Sequence, residues 1–72
     1  MRYGLTARQQ QVYEIIRRHI DERGVPPSYD ELLAETGLKG RSGIHRILTA
    51  LKERGAVDWI AGRARSITIL EA

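Results

Sequence analysis

Four residues in the middle of the chain, Ser42, His45, Arg46 and Thr49, combine hydrogen-bonding chemistry with helical spacing. At 100° per residue they fall at about 100–200° on a helical wheel, while Ile44, Ile47, Leu48 and Leu51 form an apolar stripe centred at about 350°. An arginine guanidinium offers two parallel donors, an imidazole offers one donor or one acceptor, and each hydroxyl can do either. That repertoire suits the edges of base pairs, where guanine O6 and N7 accept side by side. A helix that carries such a face must be slender where it enters the ~12 Å major groove. Gly40 and Gly43 remove bulk at its N-terminal end, and its first amides can meet a phosphate through the helix dipole. The bland alternative is a solvated face of an amphipathic helix.

The charge pattern bears on that choice. Residues 39 to 65 contain Lys39, Arg41, Arg46, Lys52, Arg54, Arg63 and Arg65 against only Glu53 and Asp58, a local balance of +5, while the whole 72-residue chain carries +3. A basic half on a body that sums to −2 is the electrostatic footprint of a polyanion partner, nucleic acid before membrane in a chain without an amphipathic anchor.

Other chemistries are poorly supplied. The chain has no cysteine and two histidines, which excludes a disulfide framework, a thiolate metal site and a cysteine nucleophile. Asp30, Glu31 and Glu35 cluster without a histidine, a lysine or a metal-ligand pattern, and are expected to cap and compensate a helix dipole. No spacing suggests an activated serine or threonine, so neither an enzyme nor a cofactor or metal is expected. A domain this small buries only about 60 % of its unfolded surface, too little to enclose a large active site. With 42 % hydrophobic and 29 % charged residues it reads as one ordinary globular domain. No apolar core follows Met1 and no run approaches a membrane span, so the expected location is the cytoplasm.

The elements that must position these residues follow from their caps. Thr6-Ala-Arg-Gln9 is a capping box that opens a first helix, in which Val12, Ile15, Ile16, His19 and Ile20 recur at helical spacing. His19 lies inside that stripe and is expected to be a satisfied core or boundary histidine. Gly24 closes the helix and Val25-Pro26-Pro27 forbids its continuation. Ser28-Tyr-Asp-Glu31 is a second capping box, predicting a short helix from about Tyr29 to Thr36 that buries Leu32 and Leu33 and ends at Gly37. After a turn, Ser42 is expected to cap a third helix that runs to Arg54 and stops at Gly55. The period then changes to two: Val57–Ile60 and Ser66–Leu70 read as strands of a hairpin, Trp59 alternating with Val57 toward the core, with Arg63 and Arg65 at its tip. Three helices and a basic hairpin make a mainly α winged helix-turn-helix, whose third helix enters the major groove and whose wing reaches the minor groove or backbone.

Leu5-Thr-Ala-Arg-Gln-Gln10, Gly24-Val-Pro-Pro-Ser28, Ser42-Gly-Ile-His-Arg46 and Thr49-Ala-Leu-Lys-Glu-Arg-Gly55 together resemble the DNA-binding domain of the LexA family of SOS repressors over nearly the whole chain. The Ser-Gly-Ile-His-Arg form resembles the alphaproteobacterial branch, whose operators are direct repeats of GTTC. The resemblance implies a repressor domain that reads DNA from positions matching Gly40, Ser42, Gly43, His45 and Arg46, with Thr6 and Arg8 near the operator backbone. Family members continue into a C-terminal domain that dimerises and cleaves itself with a Ser-Lys dyad. The 72 residues run to Ala72, so that peptidase domain and its dimer interface are expected to be absent from them.

The resulting expectation is a sequence-specific double-stranded DNA binder that acts as a transcriptional repressor. Lys39, Arg41, Lys52, Arg63 and Arg65 supply the electrostatic attraction, and Ser42, His45, Arg46 and Thr49 the discrimination. A lone module binds modestly, so pairing of two copies on adjacent half-sites is expected. The alternative is a protein-interaction winged helix that turns its basic face on an acidic partner, as an antirepressor would, or that competes for LexA operators.

Overall fold

A computed structural model describes residues 4–70. Helix α1, Ala7–Arg23, starts where the sequence predicts: Thr6 Oγ1 accepts from the Gln9 amide at 3.2 Å, and the Gln9 side chain accepts from the Thr6 amide at 3.1 Å. Helix α2, Tyr29–Thr36, repeats the device with Ser28 and Glu31. Gly24 and Gly37 end these helices at φ of 78° and 75°, a left-handed conformation that favours glycine.

Helix α3, Arg41–Glu53, starts two residues earlier than a Ser42 cap requires. Gly40 takes the extended backbone of the cap position, φ −144° and ψ 157°, and no side chain caps the helix. Glycine is a tolerable cap, and the correction leaves the Ser42 hydroxyl in the first turn, free of capping duty.

The hairpin strands are also shorter than the alternation predicts. β1, Val57–Asp58, and β2, Thr68–Ile69, pair antiparallel as Val57 with Ile69 and Asp58 with Thr68. Beyond Asp58 the ladder gives way to side chains. Trp59 donates its amide to Asp58 Oδ1 at 2.8 Å, and the Ser66 hydroxyl accepts from the Ile60 amide at 2.9 Å and donates to the Ile60 carbonyl at 3.1 Å. Residues 59–67 are therefore a loop-like wing, turned by Gly62 at φ 79° and by Arg65 at φ 53°.

One core joins these parts. Val12, Ile16, Leu32, Ile44, Leu48, Leu51 and Val57 are fully buried, with Leu5, Tyr13, Ile15, Ala56 and Ile67 around them. Burial of each large side chain contributes roughly 1.5–3 kcal/mol. Helix α3 packs against α1, α2 and β1, so its apolar stripe is consumed on three sides and its opposite face is left to solvent. Ile20, Leu33 and Ile47 are only half-buried at the core's margin. His19 is buried as expected, but only half satisfied: Nε2 meets Glu35 Oε2, while Nδ1 has no partner among the described residues. Arg18 also donates to Glu35, and the His19 hydrogen bond, ahead of Arg18, holds the Glu35 carboxyl below its ordinary range. No helix of the described residues is long and apolar enough to cross a membrane.

Candidate nucleic-acid interface

The start of α3 is unusually bare. Gly40 and Gly43 both have ordinary backbone conformations, and an added Cβ would meet nothing closer than 3.9 Å at either position. Among the described residues, neither glycine is required by φ or by space. Ser42, His45 and Arg46 are exposed on this part of α3, and Thr49 and Gly43 are half-buried beside them. The four polar residues that share a face by periodicity thus share one in space, with Thr49 the least accessible.

The expected cations sort into three states. Lys39, Arg46 and Arg63 are exposed, and no ion pair among the described residues engages them. Arg41 pairs with Asp30 at 3.1 Å and Lys52 with Asp58 at 3.2 Å, both with half or more of each side chain in solvent. Such surface pairs contribute roughly 0–1 kcal/mol and can be exchanged for a phosphate. Lys52 Nζ also stands 5.0 Å from the centre of the Trp59 ring, a cation–π distance. The Trp59 amide, then Lys52, holds the Asp58 carboxyl below its ordinary range.

Arg65 is in the third state, and here the expectation of an outward-reaching wing tip is corrected. Its Nη1 and Nη2 donate to Glu31 Oε1 and Oε2 at 2.9 and 3.2 Å, and Nη1 also donates to the Pro26 carbonyl at 3.2 Å. A forked, two-point pair is the strong form of this interaction, and Arg23 adds a third charge 3.7 Å from Glu31. The Arg65 hydrogen bond and then the Ser28 amide pull the Glu31 carboxyl down to about 2. Glu31 therefore caps α2 and fastens the wing to it, leaving Arg63 as the wing-loop cation without an ion pair among the described residues.

Thr6 and Arg8 are exposed at the start of α1, yet both have structural duties. Thr6 caps the helix, and Arg8 donates to the Thr36 carbonyl at 3.0 Å and to Gln11 at 3.2 Å. Arg8 thereby joins α1 to the end of α2.

Two aromatic residues outside the expected set complete the surface. Tyr29 Oη lies 3.3 Å from His45 Nδ1, and Trp59 meets the imidazole edge-on, with ring centres 6.0 Å apart at 73°. Trp59 is half-buried, packing against the core while carrying Lys52, so the core assignment holds for part of the ring only. These rings line an open cleft of about 560 Å³ between α3 and the wing, with Arg41 and Arg63 also on its walls. Sequence offers no local signal for the Tyr29 contact, which joins residues sixteen positions apart.

Residues 2–66 match the family described as LexA DNA binding domain. The chain is 46 % identical over 66 residues to the LexA repressor of Ruegeria sp. (strain TM1040), covering 92 % of this chain and 27 % of that protein. It is 45 % identical over 67 residues to the LexA repressor of Cereibacter sphaeroides (strain ATCC 17023), covering 93 % and 29 %. It is 43 % identical over 67 residues to that of strain ATCC 17029, covering 93 % and 30 %. The chain thus spans under a third of the length of these curated relatives. By the extent of the family match and the three-helix, two-strand architecture, the chain belongs to the LexA DNA-binding domain family.

Proposed function

We propose that this chain binds double-stranded DNA sequence-selectively and serves as the operator-reading part of a transcriptional repressor in the cytoplasm. The observation that carries the reading is the α3 face itself. Ser42 and Arg46 stand exposed with unspent hydrogen-bonding capacity beside two glycines that the fold does not need, and Lys39 and Arg63, without ion pairs among the described residues, flank them. In this reading α3 lies in the major groove, with Ser42, His45, Arg46 and Thr49 toward base edges. Lys39, Arg41, Lys52 and Arg63 take phosphates or the neighbouring minor groove. The N-terminal amides of α3, uncapped by any side chain, are open to a phosphate. GTTC-type half-sites are the proposed target, and two copies on adjacent half-sites supply affinity that a single interface of roughly 600–1,000 Å² lacks.

Titration of labelled duplexes over a range of salt tests this. A duplex with two GTTC repeats is expected to bind more tightly than a scrambled one. The logarithm of its association constant, per bound copy, should fall with the logarithm of salt at a slope of about −4 to −5, for four to six phosphate contacts. A nearly flat salt profile, or equal affinity for both duplexes, would refute the proposal.

A further inference from the structure

Tyr29 opens α2 and is half-buried against the core, so its ring position is set by the fold rather than by the surface. Its phenol reaches His45 Nδ1 at 3.3 Å, and Trp59 frames the same imidazole from another side. His45 Nε2 meets no partner among the described residues, and the side chain is exposed on the α3 face. A neutral imidazole carries one proton, and the hydrogen bond made by one nitrogen decides what the other can do. With the phenol as donor, Nδ1 is the acceptor and Nε2 bears the proton.

We propose that Tyr29 is a specificity-positioning residue: by donating to His45 Nδ1 it fixes His45 as an Nε2–H donor aimed at acceptor edges of bases. The inference rests on the DNA-reading role proposed above. It adds the polarity of the contact. A donor at this position accepts guanine N7 or O6, adenine N7 or thymine O4 as partner and rejects the amino group of cytosine, whereas the opposite tautomer would pair with the amino groups of cytosine or adenine. Burial pushes the Tyr29 phenol up, more than neighbouring Arg41 pulls it down, which keeps its proton in place near neutral pH.

Two measurements on the wild type, Tyr29→Phe and His45→Ala test it. Phenylalanine keeps the packed ring, and thermal melting verifies that each variant folds. First, two-bond proton–nitrogen spectra without DNA at pH 8, above the ordinary imidazole range, are expected to show Nε2 protonated in the wild type. The Nδ1 resonance is expected to shift in Tyr29→Phe as its hydrogen bond is lost. A protonated Nδ1 in the wild type, or identical spectra, would overturn the proposal. Second, Tyr29→Phe should weaken the preferred duplex by about threefold to tenfold, the worth of one hydrogen bond, leave random DNA unaffected, and cost nothing further in the His45→Ala background. Equal losses on random DNA, or an undiminished loss without His45, would assign Tyr29 a different role. If the wild type selects no duplex at all, the DNA reading fails and the proposal with it, while the nitrogen spectra still report whether the tautomer is set as described.

Discussion

Replacing Gly43 with alanine separates what the fold needs at the start of α3 from what a bound partner needs. Gly43 has no positive φ, and a Cβ there would meet only Leu38 Cδ1 at 3.9 Å, an ordinary van der Waals distance. Among the described residues nothing opposes a methyl group there. Alanine is favoured over glycine within a helix by ~0.5–1 kcal/mol, so the variant is expected to be more stable by up to about that amount. For a domain of this size that corresponds to a rise of roughly 2–8 °C in Tm. In the proposed complex the same methyl would occupy the flank of the face that carries Arg46, where the helix backbone would approach the bases. Overfilling a close contact costs ~1–3 kcal/mol, so affinity for the preferred duplex should fall about fivefold or more. Paired thermal melting and duplex titration of the two proteins read both effects. A lower Tm would refute the helical geometry assigned to Gly43. A higher Tm with unchanged affinity would refute the close approach of α3 to its partner.

The two wing arginines are expected to behave differently. Arg63→Ala should weaken every duplex alike and reduce the salt slope by about one unit, whereas Arg65→Ala should lower Tm, because it unfastens the wing from Glu31. Equal salt slopes for wild type and Arg63→Ala would remove Arg63 from the interface, and an unchanged Tm for Arg65→Ala would show that the clamp is dispensable. Acid stability tests the other half of that clamp. Since Glu31 titrates at about 2 when folded against an ordinary 4.5, its contribution is complete above the ordinary value and fades as pH falls from about 4.5 through about 2. Glu31→Gln should therefore show a shallower loss of Tm across this window than the wild type, and parallel acid profiles would contradict the assignment.

What sequence revealed and what it concealed divide along the distance over which each interaction acts. The caps at Thr6 and Ser28 are legible because the partner that completes each lies three residues away, and Gly24 and Gly37 announce the left-handed ends. Ser42 misleads for the same local reason: its hydroxyl makes it the more recognisable cap, while Gly40 satisfies the cap position by backbone conformation alone. The alternation of Val57, Trp59, Ile67 and Ile69 continues past the point where Ser66 replaces the backbone ladder, so periodicity overstates the strands. The wheel angle of His19 predicts burial but not Glu35, which comes from another helix. Arg65 looks free until α2 brings Glu31 beside it from 34 positions upstream. The α3 face is legible because one helix carries all of it. The Tyr29 contact behind His45 is not, because it exists only once α2 and α3 pack together.

Whether α3 reads bases or rests only on phosphates is decided at Arg46. The residue is exposed, one turn into α3, and without an ion-pair partner among the described residues. A two-point contact with guanine discriminates by ~1–3 kcal/mol. Titrating wild type, Arg46→Ala and Arg46→Lys against a GTTC-repeat duplex and a random duplex at one fixed salt concentration isolates that contribution. Arg46→Ala is expected to lose ~1–3 kcal/mol on the repeat duplex and little on random DNA, with lysine failing to restore the difference because a point charge cannot reproduce the guanidinium fork. Equal losses on both duplexes, together with full rescue by lysine, would show that Arg46 contacts only the backbone and would contradict base reading by α3.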